Sequence, residues 1–255
     1  MMTPSRSGYS LLMRMIQLSD THIFAHGDGE LRGMNTAASL GQVVALAQTL
    51  DPDLVMVTGD LSQDETPESY THIQHLLAPL AVPVHYLVGN HDSSIAIQQA
   101  WGDVAITQAR VLVEDGWQLL LLNSTVVGKV WGELSAATLD WLDTQLHASH
   151  LPALVALHHP PIVPDPDWMG EVLTNSDALY QVVDRHPQVR LVIAGHVHQP
   201  IHYQRGNVAY LTAPSTCLQY DQPKDSPLTW HRPGLRWLEL YPDGSWLTRI
   251  VRVVL

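Results

Sequence analysis

Residues 54–60 read LVMVTGD: five apolar or β-branched residues, a glycine, then a carboxylate. A run of that length and composition is a buried strand, and one that ends in an aspartate carries a charge to the lip of its sheet. Four further segments repeat the device: MIQLSDTH (15–22), VHYLVGNHD (84–92), ALVALHHPP (153–161) and LVIAGHVH (191–198). Each apolar run stops where Asp, Asn or His begins. In open α/β sheets the carboxyl ends of the strands face one crevice, where ligands bind. If these strands are neighbours, at least seven nitrogen and oxygen donors converge there.

The spacing has a physical use. In Asp20-x-His22 and His196-x-His198 an extended backbone would point both side chains the same way. Gly59, Gly89 and Gly195 each precede a donor and would allow a sharp departure from the strand. Mixed Asp, Asn and His shells suit manganese, iron or zinc, whereas magnesium and calcium prefer oxygen. Seven donors exceed one tetrahedral site, so two metals sharing a bridging carboxylate are expected. Any one of these motifs alone is more simply a satisfied histidine or aspartate at a strand end; the ordered set of five after five apolar runs is not.

Composition sets the frame. The chain has 255 residues, 45% hydrophobic and 15% charged, with a formal net charge of -12. That supports one large folded domain and lacks the positive field that holds a long nucleic acid. A small anionic substrate stays compatible, because bound cations reverse the local field. One cysteine excludes a disulfide framework and a cysteine-based zinc site, and the reducing cytoplasm is the expected location. No run has the length of a membrane span, and residues 10–13 are too short for a signal-peptide core. Residues 1–13 are expected to form a loose extension and 14–255 a single domain. Histidine, at fifteen residues, is over-represented.

The pattern predicts strands over 14–18, 54–58, 84–88, 153–157 and 190–194. Helices are expected over 35–50, capped by Asn35 or Thr36, and over 67–77, 135–146 and 176–185, the last capped by Ser176 and stopped by Pro187. Three hairpins turn at Asp115-Gly116, Arg205-Gly206-Asn207 and Pro242-Asp243-Gly244. The fold class is therefore α/β with mixed sheets, and two packed sheets with helices outside absorb this many strands. Residues 219–233 read as a polar, proline-rich surface loop.

The motif order D-x-H, GD, GNHD, HHPP, GHVH resembles the calcineurin-like metallophosphoesterase superfamily across about residues 14–200. The resemblance implies a four-layer αββα sandwich with the metal site at the strand ends. It implies that Asp20, His22, Asp60 and His198 hold one metal, Asp60 bridges, and Asn90, His158 and His196 complete the second. His91 would be the catalytic residue, and of the two histidines in HHPP the pattern points to His158 rather than His159. Substrate contacts would come from His22, Asp60, Asn90, His91 and His198. The segments ELRGMNT (30–36), WGEL (131–134), LDWL (139–142), TAPSTC (212–217) and PGLR (233–236) look like class III cyclic-nucleotide phosphodiesterases, extending the likeness over nearly all of residues 14–255. The nearest likeness is to bacterial 3′,5′-cyclic AMP phosphodiesterases. These imply hydrolysis to 5′-AMP by a hydroxide held between two divalent ions, iron or manganese, with zinc as the alternative.

Departures and rivals bear on specificity. Relatives often carry an acidic residue where Gly170 stands, beside Trp168, so nucleotide preference is open. Gln63 stands where purple acid phosphatases place a tyrosine ligand. A broader phosphodiesterase acting on 2′,3′-cyclic nucleotides, glycerophosphodiesters or aryl diesters shares the metal core. A non-catalytic protein-binding scaffold would be free to lose ligands, and none is lost. The expected partner is a small cyclic nucleotide, with monomer and homodimer both open. Asn35 reads as a helix cap more readily than a substrate contact. Trp131 and Trp141 read as core, and Cys217 as a small buried residue. His72, His75, His147, His150 and His186 read as solvated helix faces. Asp92 either orients its neighbours or caps the next helix.

Overall fold

The computed structural model describes residues 12–102, 105–162, 172–220 and 232–254. Residues 1–11 of the expected extension, Trp168 and Gly170 lie outside them. Strand β1 begins at Met13, one residue before the expected boundary, and Met13 is buried.

Two sheets carry the fold. In the first, β1 (Met13–Leu18) lies between β4 (Leu54–Thr58) and β12 (Gly234–Leu240), with β5 (Val84–Leu87) and β13 (Trp246–Arg252) at the edges. The β1–β4–β5 part is parallel, and β12 and β13 are antiparallel additions. The second sheet runs β10 (His202–Arg205), β11 (Val208–Thr212), β9 (Val189–Ala194), β8 (Ala153–Ala156), β7 (Trp117–Leu121) and β6 (Arg110–Glu114). Its central strands are parallel, and β6 and β10 are antiparallel edges. A small hairpin, β2 (Glu30–Leu31) with β3 (Met34–Asn35), stands apart.

The continuous apolar runs follow from burial on both faces. In β4, Leu54 and Met56 point between the sheets, and Val55 and Val57 point outward. In β8, Leu154 and Ala156 face inward while Val155 faces out. Helices α1 (Thr36–Gln48), α2 (Pro67–Leu77) and α3 (Ser94–Trp101) cover the first sheet; α4 (Ala136–His147) and α5 (Ser176–Val183) cover the second. This is the expected αββα sandwich.

Local signals behave as their chemistry dictates, with exceptions. Asn35 caps α1, accepting from Ala38 N at 2.7 Å. Ser135 caps α4. The cap of α5 is Asn175 rather than Ser176, whose hydroxyl donates back to Leu173 O. Ser93 caps α3, so that role does not fall to Asp92. His186 is buried beyond α5, with Nε2 2.7 Å from Asp143, and is not a solvated face. Trp131 is half-buried rather than core, and Trp141, also half-buried, packs against the core of the second sheet. Gln219, expected on a surface loop, is buried and donates to Ser215 O.

The sheets meet at the carboxyl ends of their parallel strands. Gln17 of β1 donates across to Ala194 O of β9 at 2.9 Å. A Cβ on Gly195 would lie 2.1 Å from Ser19 Oγ and 2.7 Å from Thr58 O. Gly195→Ala is therefore expected to lower stability by about 1–3 kcal/mol, read by thermal unfolding. Gly41, inside α1 with open space where its Cβ would be, is the contrast: Gly41→Ala should raise stability by up to ~1 kcal/mol.

Candidate metal centre

The five strand ends deliver their side chains to one buried cage. Asp20, His22, Asp60, His158, His196 and His198 are all buried, and Asn90 and His91 are half-buried. Ligand atoms of Asp20, His22 and His198 lie within 4.8 Å of one another, as do those of Asp20, Asp60 and His158, of His22, Asp60 and His91, and of His158, His159 and His196. Asp20 and Asp60 each belong to two of these overlapping groups.

The carboxylates stand between the rings. Asp60 Oδ1 is 3.4 Å from His158 Nε2, and Asp60 Oδ2 is 3.8 Å from His22 Nε2. Asp20 Oδ1 is 3.5 Å from His198 Nε2, and both its oxygens accept from His196 N at 3.1 Å. Asn90 Oδ1 approaches His158 Nε2 at 3.2 Å. Main-chain carbonyls fix two rings: His158 Nδ1 donates to Thr58 O and His198 Nδ1 to Leu218 O, each at 2.8 Å. A carbonyl only accepts, so the proton stays on Nδ1 and, once Nε2 is deprotonated, both Nε2 atoms turn a lone pair to the cage, as ligating histidines require. The Nε2 atoms of His22 and His198 face each other at 3.2 Å. Buried carboxylates and imidazole lone pairs aimed at one another fit divalent transition ions.

His159 does something else. Its Nε2 donates to Val130 O at 3.0 Å, and its Nδ1 accepts from Ser124 Oγ at 2.9 Å. Both ring nitrogens are used, and the residue clamps the loop after β7 rather than facing the carboxylates. His91 is held beside the cage because its backbone N donates to Asp60 Oδ1 at 2.9 Å.

The backbone here is not extended. Asp20, His22, Asp60, His196 and His198 all have φ between 46° and 71°. The expected i, i+2 alignment of an extended segment is replaced by left-handed turns, each costing about 1–3 kcal/mol that surrounding contacts must offset. Of Gly59, Gly89 and Gly195, only Gly59 supplies a positive φ, of 93°. The other two allow close approach instead; a Cβ on Gly89 would sit 2.2 Å from Asp60 Oδ1.

Several supporting residues lie outside the five motifs or hold no ligand place within them. Asp92 accepts from Gly89 N, Leu61 N, Ser62 N and the Tyr70 hydroxyl, tying the second and third motifs together. Tyr220 packs its ring 4.6 Å from that of His198. Ser215 Oγ donates to Asp20 O. Cys217 is buried beneath Asp20, and burial pushes its thiol up to about 12, as suits an inert residue. Ser215 and Cys217 are signalled in the sequence by TAPSTC; the bonds of Asp92 span up to thirty-one positions and give no signal.

Electrostatics bind protons to the cage. Burial pushes Asp20 up to about 7, reinforced by the neighbouring Asp60 charge. Burial opposes charge on His158, but Asp60 and Asp20 outweigh it and hold the imidazolium up to about 9. Burial, with the neighbouring rings, pulls His198 well below its ordinary value. Metal ligands must be deprotonated. Apparent metal affinity is therefore expected to rise with pH through the interval from about 7 to about 9, and loading at pH 8 should release protons. Calorimetric titration with Mn²⁺ in two buffers of different ionisation enthalpy reads that release; zero protons at pH 8 would contradict the assignment.

Comparison with known proteins agrees with this geometry. Residues 13–200 match the family model described as calcineurin-like phosphoesterase. The 3′,5′-cyclic-nucleotide phosphodiesterase alr5338 of Nostoc sp. is 42% identical, covering 95% of this chain and 93% of its own. The 3′,5′-cyclic adenosine monophosphate phosphodiesterase CpdA of Pseudomonas aeruginosa is 40% identical over 98% of this chain and 93% of its own. Among solved structures, a dimetal phosphatase from Danio rerio superposes with a TM-score of 0.69 at 17% identity, covering 95% of this chain and 99% of that one, a likeness of fold alone. With a family match across 13–200 and full-length relatives at this identity, the chain belongs to the calcineurin-like phosphoesterases.

Proposed function

We propose that the chain is a metal-dependent phosphodiesterase that opens 3′,5′-cyclic AMP to 5′-AMP. The observation that carries the reading is Asp60, whose two oxygens lie toward different histidines at the meeting point of the sheets. The substrate follows from the names of the full-length relatives. Asp20, His22, Asp60 and His198 would hold one divalent ion, and Asp60, Asn90, His158 and His196 the other. Iron and manganese suit this donor set, with zinc the alternative. When bound, such a pair activates a water and neutralises the phosphoryl oxygens.

The residues of the chain do the rest. His22, Asp60, Asn90, His91 and His198 line the place where the phosphate would sit. Water adds to phosphorus, the P–O3′ bond breaks, the proton needed by O3′ comes from His91, and the proton given up by the water restores His91. The position of His91 suits that proton transfer, since Asp60 anchors its backbone and its ring stands edge-on to His22 with centroids 5.1 Å apart. Among the described residues no helix is long and apolar enough to cross a membrane, and the single cysteine supports work in the reducing cytoplasm.

Metal-reconstituted protein is expected to convert 3′,5′-cyclic AMP to 5′-AMP with higher kcat/KM than the 2′,3′ isomer, read by chromatography of products. Preference for the 2′,3′ isomer or for aryl diesters would replace this reading with the broader one. His91→Ala should lower kcat by roughly 10²–10⁴ while retaining metal. Asp60→Ala should be worse and should lose metal, measured by elemental analysis; two ions retained would refute the bridge.

A further inference from the structure

We infer that the cavity beside Asn90 receives the nucleobase of the substrate, with Ile95 and Val127 as the apolar plates between which the base lies. This rests on the phosphodiesterase reading and adds to it the residues that select a nucleoside. The cavity has a volume of about 570 Å³, within the range of small-molecule sites. Gly89 and Asn90 are part of its lining, so it adjoins the cage. One wall is the first turn of α3, with Ser94 and Ile95; the other is the loop after β7, with Val126 and Val127.

The cavity lining includes two exposed, branched apolar side chains. Ile95 is 70% exposed and Val127 fully exposed, beside a site of carboxylates and imidazoles. Apolar lining with a few polar groups is the usual make-up of a small-ligand pocket. A nucleobase has two apolar faces and a polar edge, and the lining includes Glu65 and Ser94 as polar groups suited to that edge.

The wall is also built in advance. Asn123 donates to Thr107 O at 2.8 Å and accepts from Thr125 N and Thr125 Oγ1 at 2.9 and 2.7 Å. His159 holds the same loop at both ends, through Ser124 and Val130. A pocket already ordered spares the ligand the free-energy cost of ordering it. This gives His159 a role that its place beside His158 leaves unexplained, because it positions the base-binding wall.

The test compares two anions that share a phosphate and a ribose and differ by the base. Calorimetry on the metal-reconstituted full chain would measure Kd for 5′-AMP and for ribose 5-phosphate. Wild type should bind 5′-AMP about tenfold tighter or more. Ile95→Ser/Val127→Ser should weaken 5′-AMP about five- to tenfold and leave ribose 5-phosphate within about twofold. Both sites are exposed, so the fold should tolerate the change. Ser94→Trp, which fills the cavity, should weaken 5′-AMP selectively as well. Equal wild-type affinities for the two anions, or undiminished 5′-AMP binding in either variant, would overturn the inference. Absence of cyclic AMP turnover by wild type sinks only the phosphodiesterase reading, because the affinity ratio reports the base alone.

Discussion

Two sheets packed face to face normally stand about 10 Å apart, separated by their side chains. Here they touch at one end. Gly195 sits against Ser19 and Thr58, Gln17 donates to Ala194 O, His158 donates to Thr58 O, and His196 N donates to Asp20. Donors from β1, β4 and β5 therefore share one cage with donors from β8 and β9. Without that contact each sheet would present half a site. The glycine matters because nothing larger lets the strands close, and the left-handed turns matter because straight strands would overshoot.

Closing the cage concentrates charge. Two buried carboxylates this close to each other are unfavourable unless positive charge joins them. His158 supplies it as a proton, and divalent ions supply more of it. Protons and metals thus compete for the same pocket of negative potential, around which main-chain carbonyls hold the rings of His158 and His198.

The sequence shows the strands because burial on both faces leaves uninterrupted runs such as LVMVT and LVIA. It shows α1, α2 and α4 through caps and length. It hides α3, where SIAIQQAW is short and only Ala96 and Ile97 are buried, and it hides β2 and β3, which have two residues each. Donor identities are legible because metal chemistry restricts them to few residue types. Donor conformations are not: a φ of 54° at Asp20 is held by contacts with residues as distant in the chain as His196 and Ser215. For the same reason His186 reads as solvated until Asp143 is beside it, and Asp92 reads equally as a cap or an orienting group until Leu61 and Ser62 reach it.

The order of strands in the first sheet has a consequence for biosynthesis. Among the described strands β1 comes first in the chain yet lies inside its sheet, and its neighbour β12 follows it by more than two hundred residues. Until residue 240 has emerged, the nascent chain carries the apolar edge of Met13–Leu18 unpaired, a template for intermolecular pairing. Leu218, which orients His198, also arrives late. The cage can therefore mature only after Leu218 has been made, and β1 gains its second neighbour only with β12, so a holding chaperone would find its natural client in that interval.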